Sequence, residues 1–216
     1  MSWEYGKAYE KNPISPGEIA IWKDGSSLRV HDIYGPVPEE YKKADLVFTD
    51  TPWNLGNLRS FYTKAERSDY PDDFPGFYAR VFHYIREINP ETAYTEIGKE
   101  YLPEFVLEMR KLYKYVTFYS TTYYHSQKNK CFIVRGSRRA KKPDYDWMDE
   151  EDVISRIGEE EAYSCICDPC MGRGLVAVAA HKTGHQFVGG ELNPRRLSVA
   201  LSKIPGYWLK KPEKSR

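Results

Sequence analysis

A carboxylate, a stiff turn and an aromatic ring directly follow an apolar run in residues 46–55, Leu-Val-Phe-Thr-Asp-Thr-Pro-Trp-Asn-Leu. The apolar residues predict a buried strand ending at Asp50, and ligands bind at this end of strands in open α/β sheets. Asp50 supplies a hydrogen-bond acceptor, and the turn at Thr51 and Pro52 supplies two backbone carbonyls. Trp53 adds a flat stacking surface. These residue types suit an aromatic base bearing an exocyclic amino group, although a strand ending in a Pro turn with a half-buried Trp would give the same pattern.

A second segment, residues 163–200, reads as strand, Gly-rich turn, helix and strand, which together form one βαβ unit. Gly172 and Gly174 lack a Cβ and allow a ligand to approach the backbone closely. Glu191 lies at the predicted end of the second strand, where a carboxylate can accept the ribose hydroxyls of a nucleoside cofactor. Ala177 occupies the third glycine position of the dinucleotide fingerprint, which disfavours an ordinary NAD site.

Together the two segments resemble the amino-methyltransferases, which methylate the amino nitrogen of adenine or cytosine. Residues 50–53 resemble the catalytic Asp-Pro-Pro-Tyr/Trp motif of that family, with Thr51 in place of the first Pro. The run Asp-Pro-Cys-Met-Gly-x-Gly, followed by Gly-Gly-Glu-Leu-Asn-Pro, resembles its S-adenosylmethionine pocket, with Cys170 where Phe is usual. The resemblance implies catalytic roles for Asp50, Thr51, Pro52 and Trp53. It implies contacts to the methyl donor from Asp32, Asp50, Asp168, Pro169, Cys170, Gly172, Gly174, Glu191, Leu192 and Asn193.

The catalytic segment precedes the cofactor segment, as in the circularly permuted beta group of this family. Residues 27–32 resemble its first strand with the terminal acid, and Lys141-Lys142-Pro143 resembles its Lys-Pro segment. Overall the resemblance covers residues 27–56 and 141–204. It implies an α/β, Rossmann-like class I methyltransferase fold, circularly permuted, with about seven strands in a mostly parallel sheet and one antiparallel hairpin.

Between the motifs, periodic apolar residues predict helices over 74–88 and 104–112, and β-rich runs predict hairpin strands at 115–124 and 131–134 with a tip at 125–130. We expect residues 1–17, which contain two prolines, to form an extended arm. We expect residues 18–216 to form a single methyltransferase domain. Because the hairpin reaches the Lys-Pro segment within a few residues, no separate target-recognition domain fits.

Recognition of DNA must then come from short loops. The first candidate is the segment 57–75 after Trp53, and the second is a basic run that includes Lys141 and Lys142 beside the predicted pocket. Either could equally be a solvated surface. Tyr119, Tyr123 and Tyr124 are predicted to be sheet residues rather than base-stacking ones. The predicted nucleic-acid contacts are Asn54, Arg59, Tyr62, Lys64, Arg67, Arg135, Arg138 and Arg139.

Composition places few limits on function. The chain has 216 residues, 29% of them charged, and a formal net charge of +1, which indicates neither a polybasic arm nor an acidic tail. It contains no long apolar run and no N-terminal signal core, so we expect a cytoplasmic protein without a membrane partner. Cys165, Cys167 and Cys170 are spaced like metal ligands, with two histidines following, but they fall on a predicted strand and in the donor turn. We therefore predict no metal site.

The predicted function is S-adenosylmethionine-dependent methylation of the adenine amino group (N6) in duplex DNA, with the target base flipped out of the stack. Asp rather than Ser at position 50 favours adenine by family habit. Three alternatives remain: cytosine-N4 of DNA, adenine in RNA, or a cofactor-binding subunit that needs a catalytic partner. The small chain suggests a relaxed target sequence, as would suit a phage or mobile element exposed to restriction. A homodimer would pair two helical faces, formed by Phe77, Val81, Tyr84, Ile85, Phe105, Val106 and Met109.

Overall fold

A mixed sheet of nine strands forms the centre of the part of the chain that the structure, a computed structural model, describes: residues 2–69 and 71–211. In spatial order the strands run β5-β6-β4-β3-β7-β8-β2-β1-β9. The five strands β4, β3, β7, β8 and β2 are mutually parallel, and the edge strands pair antiparallel. The strands are β1 (Ile19–Ile21), β2 (Ser27–Val30), β3 (Leu46–Asp50), β4 (Thr92–Ile97), β5 (Tyr115–Tyr123), β6 (Ser126–Ser137), β7 (Cys165–Asp168), β8 (Gln186–Glu191) and β9 (Trp208–Lys210).

Helices cover both faces of the sheet and give the three-layer α/β architecture predicted from the sequence. Helices α2, α3 and α4 pack on one face, and α5, α6 and α7 on the other. A short 3-10 helix at Glu39–Lys43 precedes β3. The α-helices are α1 (Ser2–Lys11), α2 (Leu55–Lys64), α3 (Phe74–Ile88), α4 (Leu102–Leu112), α5 (Glu150–Glu160), α6 (Leu175–Lys182) and α7 (Pro194–Lys203).

The central strands are buried on both faces. In β3, Leu46 and Phe48 point into one apolar core while Val47 points into the other, and each is at most 1% exposed. This explains why the strand reads as a continuous apolar run rather than an alternating one. None of the helices within residues 2–69 and 71–211 is long and apolar enough to span a membrane.

The chain reverses its winding direction between β3 and β7. From β7 it passes through α6 to β8 on one side, and from β3 it passes through α2 and α3 to β4 on the other. This divergence opens a crevice at the carboxyl ends of the two strands, where α/β proteins bind ligands. All five parallel strands have an acidic residue at or just beyond this end: Asp32, Asp50, Glu96, Asp168 and Glu191.

The α/β, mostly parallel sheet is confirmed, with differences at its edges. Two short antiparallel strands, β1 and β9, extend the predicted seven strands to nine. The hairpin tip predicted at 125–130 is wrong, because β6 already begins at Ser126. Tyr124 and His125 form the turn alone, with φ of 57° and 51°. Such a left-handed pair matches the twist of two strands joined by a two-residue turn.

The prediction of an extended arm over residues 1–17 is also wrong for most of its length. Residues 2–11 form α1, which packs against α7. The Ser198 hydroxyl in α7 donates to the carbonyl of Asn12, 2.8 Å away. Pro13, which suggested an extended chain, disfavours helical geometry only in the residue before it, so the helix ends there. Residue 1, residue 70 and residues 212–216 lie outside the described residues.

The helical face predicted to pair two copies of the chain is not on the surface. Phe77, Val81, Tyr84 and Ile85 are at most 2% exposed, and Phe105 and Met109 are fully buried. They belong to the core between α3, α4 and the sheet. Both helices use their apolar faces to cover the sheet, so this face offers no dimer interface.

Candidate active site

Two cavities open at the carboxyl ends of the parallel strands. The larger has a volume of about 580 Å³ and the smaller about 70 Å³. Four residues line both cavities: Asp50, Phe61, Cys170 and Arg196. Asp50 therefore lies in the wall between the two spaces, where a group passed from one to the other would meet it.

The smaller cavity brings together acidic and apolar residues from β2, β3 and β8. Asp32 lies two residues beyond β2 and accepts a hydrogen bond of 2.7 Å from the Tyr62 hydroxyl. Glu191 is 7% exposed and accepts from the backbone N–H of Asn193 at 2.8 Å. The remaining lining includes six predicted site residues: Asp50, Thr51, Pro52, Pro169, Cys170 and Leu192.

The Gly-rich turn after β7 forms part of the larger cavity. Asp168 and Gly172 line it, and the Asp168 carboxylate accepts from the Cys170 backbone N–H at 3.1 Å. A Cβ on Gly172 would lie 2.8 Å from the Arg196 guanidinium. Gly174 does not line either cavity; its φ is +76°, and a Cβ there would lie 2.5 Å from Cβ of Ala200. Gly174 is thus needed for helix packing.

Asn193 lines the larger cavity but is engaged in holding the backbone. Its amide nitrogen donates to the Lys64 carbonyl at 2.8 Å, and its amide oxygen caps α7 through the Arg195 N–H at 2.9 Å. These bonds tie the end of β8 to the end of α2.

At the turn after β3, Thr51 is buried and its hydroxyl donates to the Glu96 carbonyl at 3.4 Å. This bond anchors the turn to β4. It replaces the stiffening that a proline at position 51 would give. Trp53 packs over Gly98 and meets Tyr123 edge-on, with ring centroids 5.4 Å apart. The turn is thus held from the β4 side and presents Asp50 toward the crevice.

The electrostatics of the site are dominated by carboxyl groups. Burial raises the pKa of Asp50 to about 6, while Arg196 and the Trp53 indole N–H lower it. Burial likewise raises the pKa values of Asp168 and Glu191, and the neighbouring carboxylates reinforce the effect for Asp168. Such a site favours a cationic ligand, because a nearby positive charge stabilises the ionised carboxylates.

Five of the predicted nucleic-acid residues lie in α2, at its N-cap or in the loop after it. Lys64 lines the larger cavity. Arg59 pairs with Asp72 at 2.6 Å on the surface, and Arg67 pairs with Asp69 at 2.6 Å. The Asn54 side chain caps α2 by accepting from the N–H of residue 57 at 2.9 Å. Tyr62 was predicted to contact nucleic acid, but it is buried against Asp32 in the smaller cavity, so that prediction is wrong.

The prediction that Arg135 contacts phosphate is also wrong. Arg135 is 2% exposed, donates to the Tyr94 hydroxyl at 2.9 Å and pairs with Glu161 at 3.3 Å. Arg135 lies in β6, which pairs with β4 on one side and with β5 on the other. The run of basic residues in the sequence did not indicate this buried position.

Arg138 and Arg139 lie at the opposite edge of the sheet from the crevice. They follow Ser137, which pairs with Thr92 at the amino end of β4. Arg138 hydrogen-bonds Asn89, and Arg139 pairs with Glu91 at 3.3 Å. Because β6 runs antiparallel to β4, its carboxyl end is carried away from the site, so these residues do not lie beside the pocket as predicted.

Two arginines of this segment provide a matched stability test. We expect Arg135→Met to lower the free energy of unfolding by about 3–5 kcal/mol, because it leaves Glu161 buried without its cationic partner. Arg139→Met removes an exposed pair of the same length and should change it by less than about 1 kcal/mol. Denaturant unfolding of both variants measures the difference, and equal losses would contradict the role given to the buried pair.

Several residues of the site were not predicted from the sequence. Glu96 at the end of β4, Tyr123 and Tyr124 at the end of β5, and Glu150 at the start of α5 all line the larger cavity. Glu96 carried a weaker form of the signal at Asp50, an acid near the end of a predicted strand. The two tyrosines were predicted as sheet residues, and only the parallel orientation of β5 and β4 brings them to the crevice. Arg196 followed no recognisable motif.

The cysteines pack as apolar residues. Cys131, Cys165 and Cys167 are at most 2% exposed, and Cys165 and Cys167 share one core on the same side of β7. Cys170 lies in the Gly-rich turn after β7 and lines both cavities. Within residues 2–69 and 71–211, no group of three or more His, Cys, Asp or Glu side chains is placed to hold a metal ion.

Among the solved structures that share this architecture, one is a DNA methyltransferase and another is assigned as a DNA modification methylase. The cytosine-N4-specific PvuII DNA methyltransferase superposes with a TM-score of 0.55 at 11% identity, covering 83% of this chain and 86% of that one. This chain has the methyltransferase fold. A Thermus thermophilus protein, provisionally assigned as a DNA modification methylase and complexed with S-adenosyl-L-methionine, gives a TM-score of 0.59 at 16% identity, covering 83% and 96% of the two chains.

The M1.HpyAVI complex with SAM also shares the fold, with a TM-score of 0.60 at 12% identity and coverage of 82% and 97%. Comparison with protein-family models gave no match, and comparison with curated proteins gave none. At these identities the structural likeness concerns the fold, and the chemistry has to be argued from the site.

Proposed function

We propose that this protein is an S-adenosylmethionine-dependent DNA methyltransferase that transfers a methyl group to the amino nitrogen of adenine. The observation that carries the proposal is the position of Asp50 in the wall shared by two cavities. The smaller cavity is lined by Glu191, a buried carboxylate of the kind that binds ribose hydroxyls, and the larger cavity has room for a base. The solved structures with this fold include two bound to this donor, which supports the same choice here.

The residues of the smaller cavity fit such a donor. Glu191 would accept its ribose hydroxyls, and the apolar side chains of Ile33 and Leu192 would flank its adenine ring. Asp168 and the Gly172 backbone would hold the methionine end at the larger cavity. When bound, the donor supplies an electrophilic methyl group on a sulfonium cation, whose charge matches the carboxyl-rich walls.

The chain's own residues prepare the acceptor nitrogen. Asp50 and a backbone carbonyl of Thr51 or Pro52 would accept the two amino hydrogens of the target base. These acceptors orient the nitrogen lone pair toward the smaller cavity, and orientation of this kind can lower a barrier by several kcal/mol. A base within a duplex cannot reach Asp50 without leaving the stack, so the target is flipped out. Arg59 in α2 and Arg67 in the loop after it are our candidates for holding the DNA at the mouth.

The test uses the purified full chain, tritiated S-adenosylmethionine and unmethylated plasmid DNA, followed by digestion and mass spectrometry of the nucleosides. We expect N6-methyladenine from the chain alone. Detection of N4-methylcytosine would support a DNA methyltransferase that acts on cytosine instead of adenine. Transfer to RNA but not to DNA would make RNA the substrate. Absence of transfer while the donor still binds would favour a subunit that needs a catalytic partner and overturn the proposal.

The pKa of Asp50, raised to about 6 mainly by burial, predicts a pH dependence. Only the ionised carboxylate accepts fully from the amino group, so kcat/KM for DNA should fall about tenfold per pH unit below 6 and level off above it. Glu150, whose pKa burial raises to about 8, is another group near this range. An inflection near 6 that persists in Glu150→Gln and disappears in Asp50→Asn would assign it to Asp50, whereas a flat profile from pH 5 to 8 would contradict the assignment.

A further inference from the structure

Glu96 is a buried acid for which the mechanism above has no use. It is fully buried, it lines the larger cavity, and neither of its carboxyl oxygens has a hydrogen-bond partner among the described residues. A buried carboxyl without partners is costly, and native structures keep one mainly where a ligand satisfies it. The orphaned oxygens and the cavity beside them therefore indicate a contact that forms when the site is filled.

The sheet places Glu96 beside Asp50. The two residues pair directly on the parallel strands β3 and β4, so their side chains leave the same face of the sheet about 5 Å apart. Side chains that start from neighbouring positions on this face can converge on neighbouring atoms at one edge of a base. With the amino nitrogen at Asp50, the next position belongs to the adjacent ring nitrogen, N1 of adenine or N3 of cytosine.

The surroundings of Glu96 favour its neutral form. Burial and the carboxyl groups of Asp50, Glu150 and Asp149 raise its pKa well above the usual range, and the weakly polar Cys131 thiol opposes this shift. A neutral carboxyl carries one O–H donor, whereas an ionised one can only accept. Unprotonated ring nitrogens of adenine and cytosine are acceptors and require a donor.

We propose that Glu96 is a specificity-determining residue that donates a hydrogen bond from its neutral carboxyl to the ring nitrogen beside the amino group of the flipped base. This inference rests on the proposed function and adds a second contact to the one at Asp50. Together the two side chains read an acceptor next to an amino group, a pattern that the Watson–Crick edges of guanine and thymine lack. A ring N–H and a carbonyl would meet a donor and a carboxylate there.

The experiment compares oligonucleotides in which the methylated adenine, located first with the wild-type protein, is kept or replaced by 1-deazaadenine. The replacement has C–H at the ring position and cannot accept. Wild-type protein should lose roughly 10- to 100-fold in kcat/KM on this change, the range of a lost base-edge contact. Glu96→Leu should lose a similar factor on adenine and show no further loss on 1-deazaadenine.

Glu96→Gln separates the neutral donor from a charged base. The amide keeps one donor and one acceptor without charge, so this variant should stay within about fivefold of wild type and remain sensitive to 1-deazaadenine. The matched control is Thr95→Val: Thr95 is the preceding residue of β4, is fully buried and unpartnered, but does not line the cavity. It should leave both rates unchanged.

Two results would overturn the inference while leaving the methyltransferase in place. One is equal wild-type activity on adenine and 1-deazaadenine; the other is a Glu96→Gln variant as inactive as Glu96→Leu, which would make Glu96 a charged base. If Glu96→Leu fails to fold, as a thermal melt would show, the wild type and Glu96→Gln still decide on the two oligonucleotides. Absence of methylation by the wild type would instead be a failure of the proposed function.

Discussion

Asp50→Ala is expected to lower the rate of methyl transfer by about 100- to 1,000-fold while changing donor affinity by less than about fivefold. The variant removes the acceptor that orients the target amino group, and loss of one preorganised polar contact at a reacting centre has effects of this size. Donor affinity should persist because Glu191, Asp32, Pro169 and Cys170 still line the smaller cavity. Single-turnover transfer to DNA and calorimetric titration with S-adenosylmethionine measure the two quantities separately.

Asp50→Asn is the informative companion to this variant. Asparagine keeps one oxygen acceptor in the same place but loses the charge, so its rate should lie between those of the wild type and Asp50→Ala. It should also lose the inflection near pH 6, because no group titrates at that position. If Asp50→Ala transferred methyl groups at the wild-type rate, Asp50 would have no role in the reaction, and its position between the two cavities would no longer support the proposed function.

Glu191→Ala is expected to weaken donor binding by about 10- to 100-fold, the range for a hydrogen bond to a charged group. Glu191 ends β8 almost fully buried, with one oxygen held by the Asn193 N–H, so its carboxylate is fixed before the ligand arrives. Calorimetry with the purified variant gives the affinity. The matched control is Glu66→Ala, because Glu66 is an exposed acid that lines neither cavity.

A comparison of S-adenosylmethionine with S-adenosylhomocysteine distinguishes two roles for Glu191. The second compound has the same ribose but no sulfonium charge. If the carboxylate holds the ribose, both affinities fall by the same factor. A loss confined to the charged compound would instead assign Glu191 to the sulfonium and require another group for the ribose.

The Arg135 segment shows where reasoning from sequence alone failed. Basic residues at 135–142 read as one patch, yet the antiparallel course of β6 buries Arg135 against Glu161 and carries Arg138 and Arg139 to the far edge of the sheet. Charge is visible in a sequence, but the direction of a strand is decided by its neighbours. The prediction for Tyr62 was wrong for a related reason, because the face of α2 that carries Tyr62 points into the smaller cavity.

Local chemistry within single segments was predictable because it depends on neighbours along the chain. An apolar run that ends in Asp50, and a Gly-rich turn followed at fixed spacing by Glu191, each form inside one strand–turn–helix unit. Their side chains are directed by the backbone of that unit, so the residue types and spacing were enough to identify both halves of the candidate site and the α/β class. The order of the halves also indicated the permuted arrangement.

Only the tertiary structure decided which residues from distant segments meet at that site. Glu96, Tyr123 and Glu150 lie 46 or more residues beyond Asp50 in the chain, and they reach the larger cavity because β4, β5 and α5 bring them to the same edge of the sheet. Strand order and direction arise from packing against both helical layers, which no local pattern records. The unpartnered carboxyl of Glu96 exists only as a product of that assembly, since its burial and the cavity beside it are properties of the folded chain.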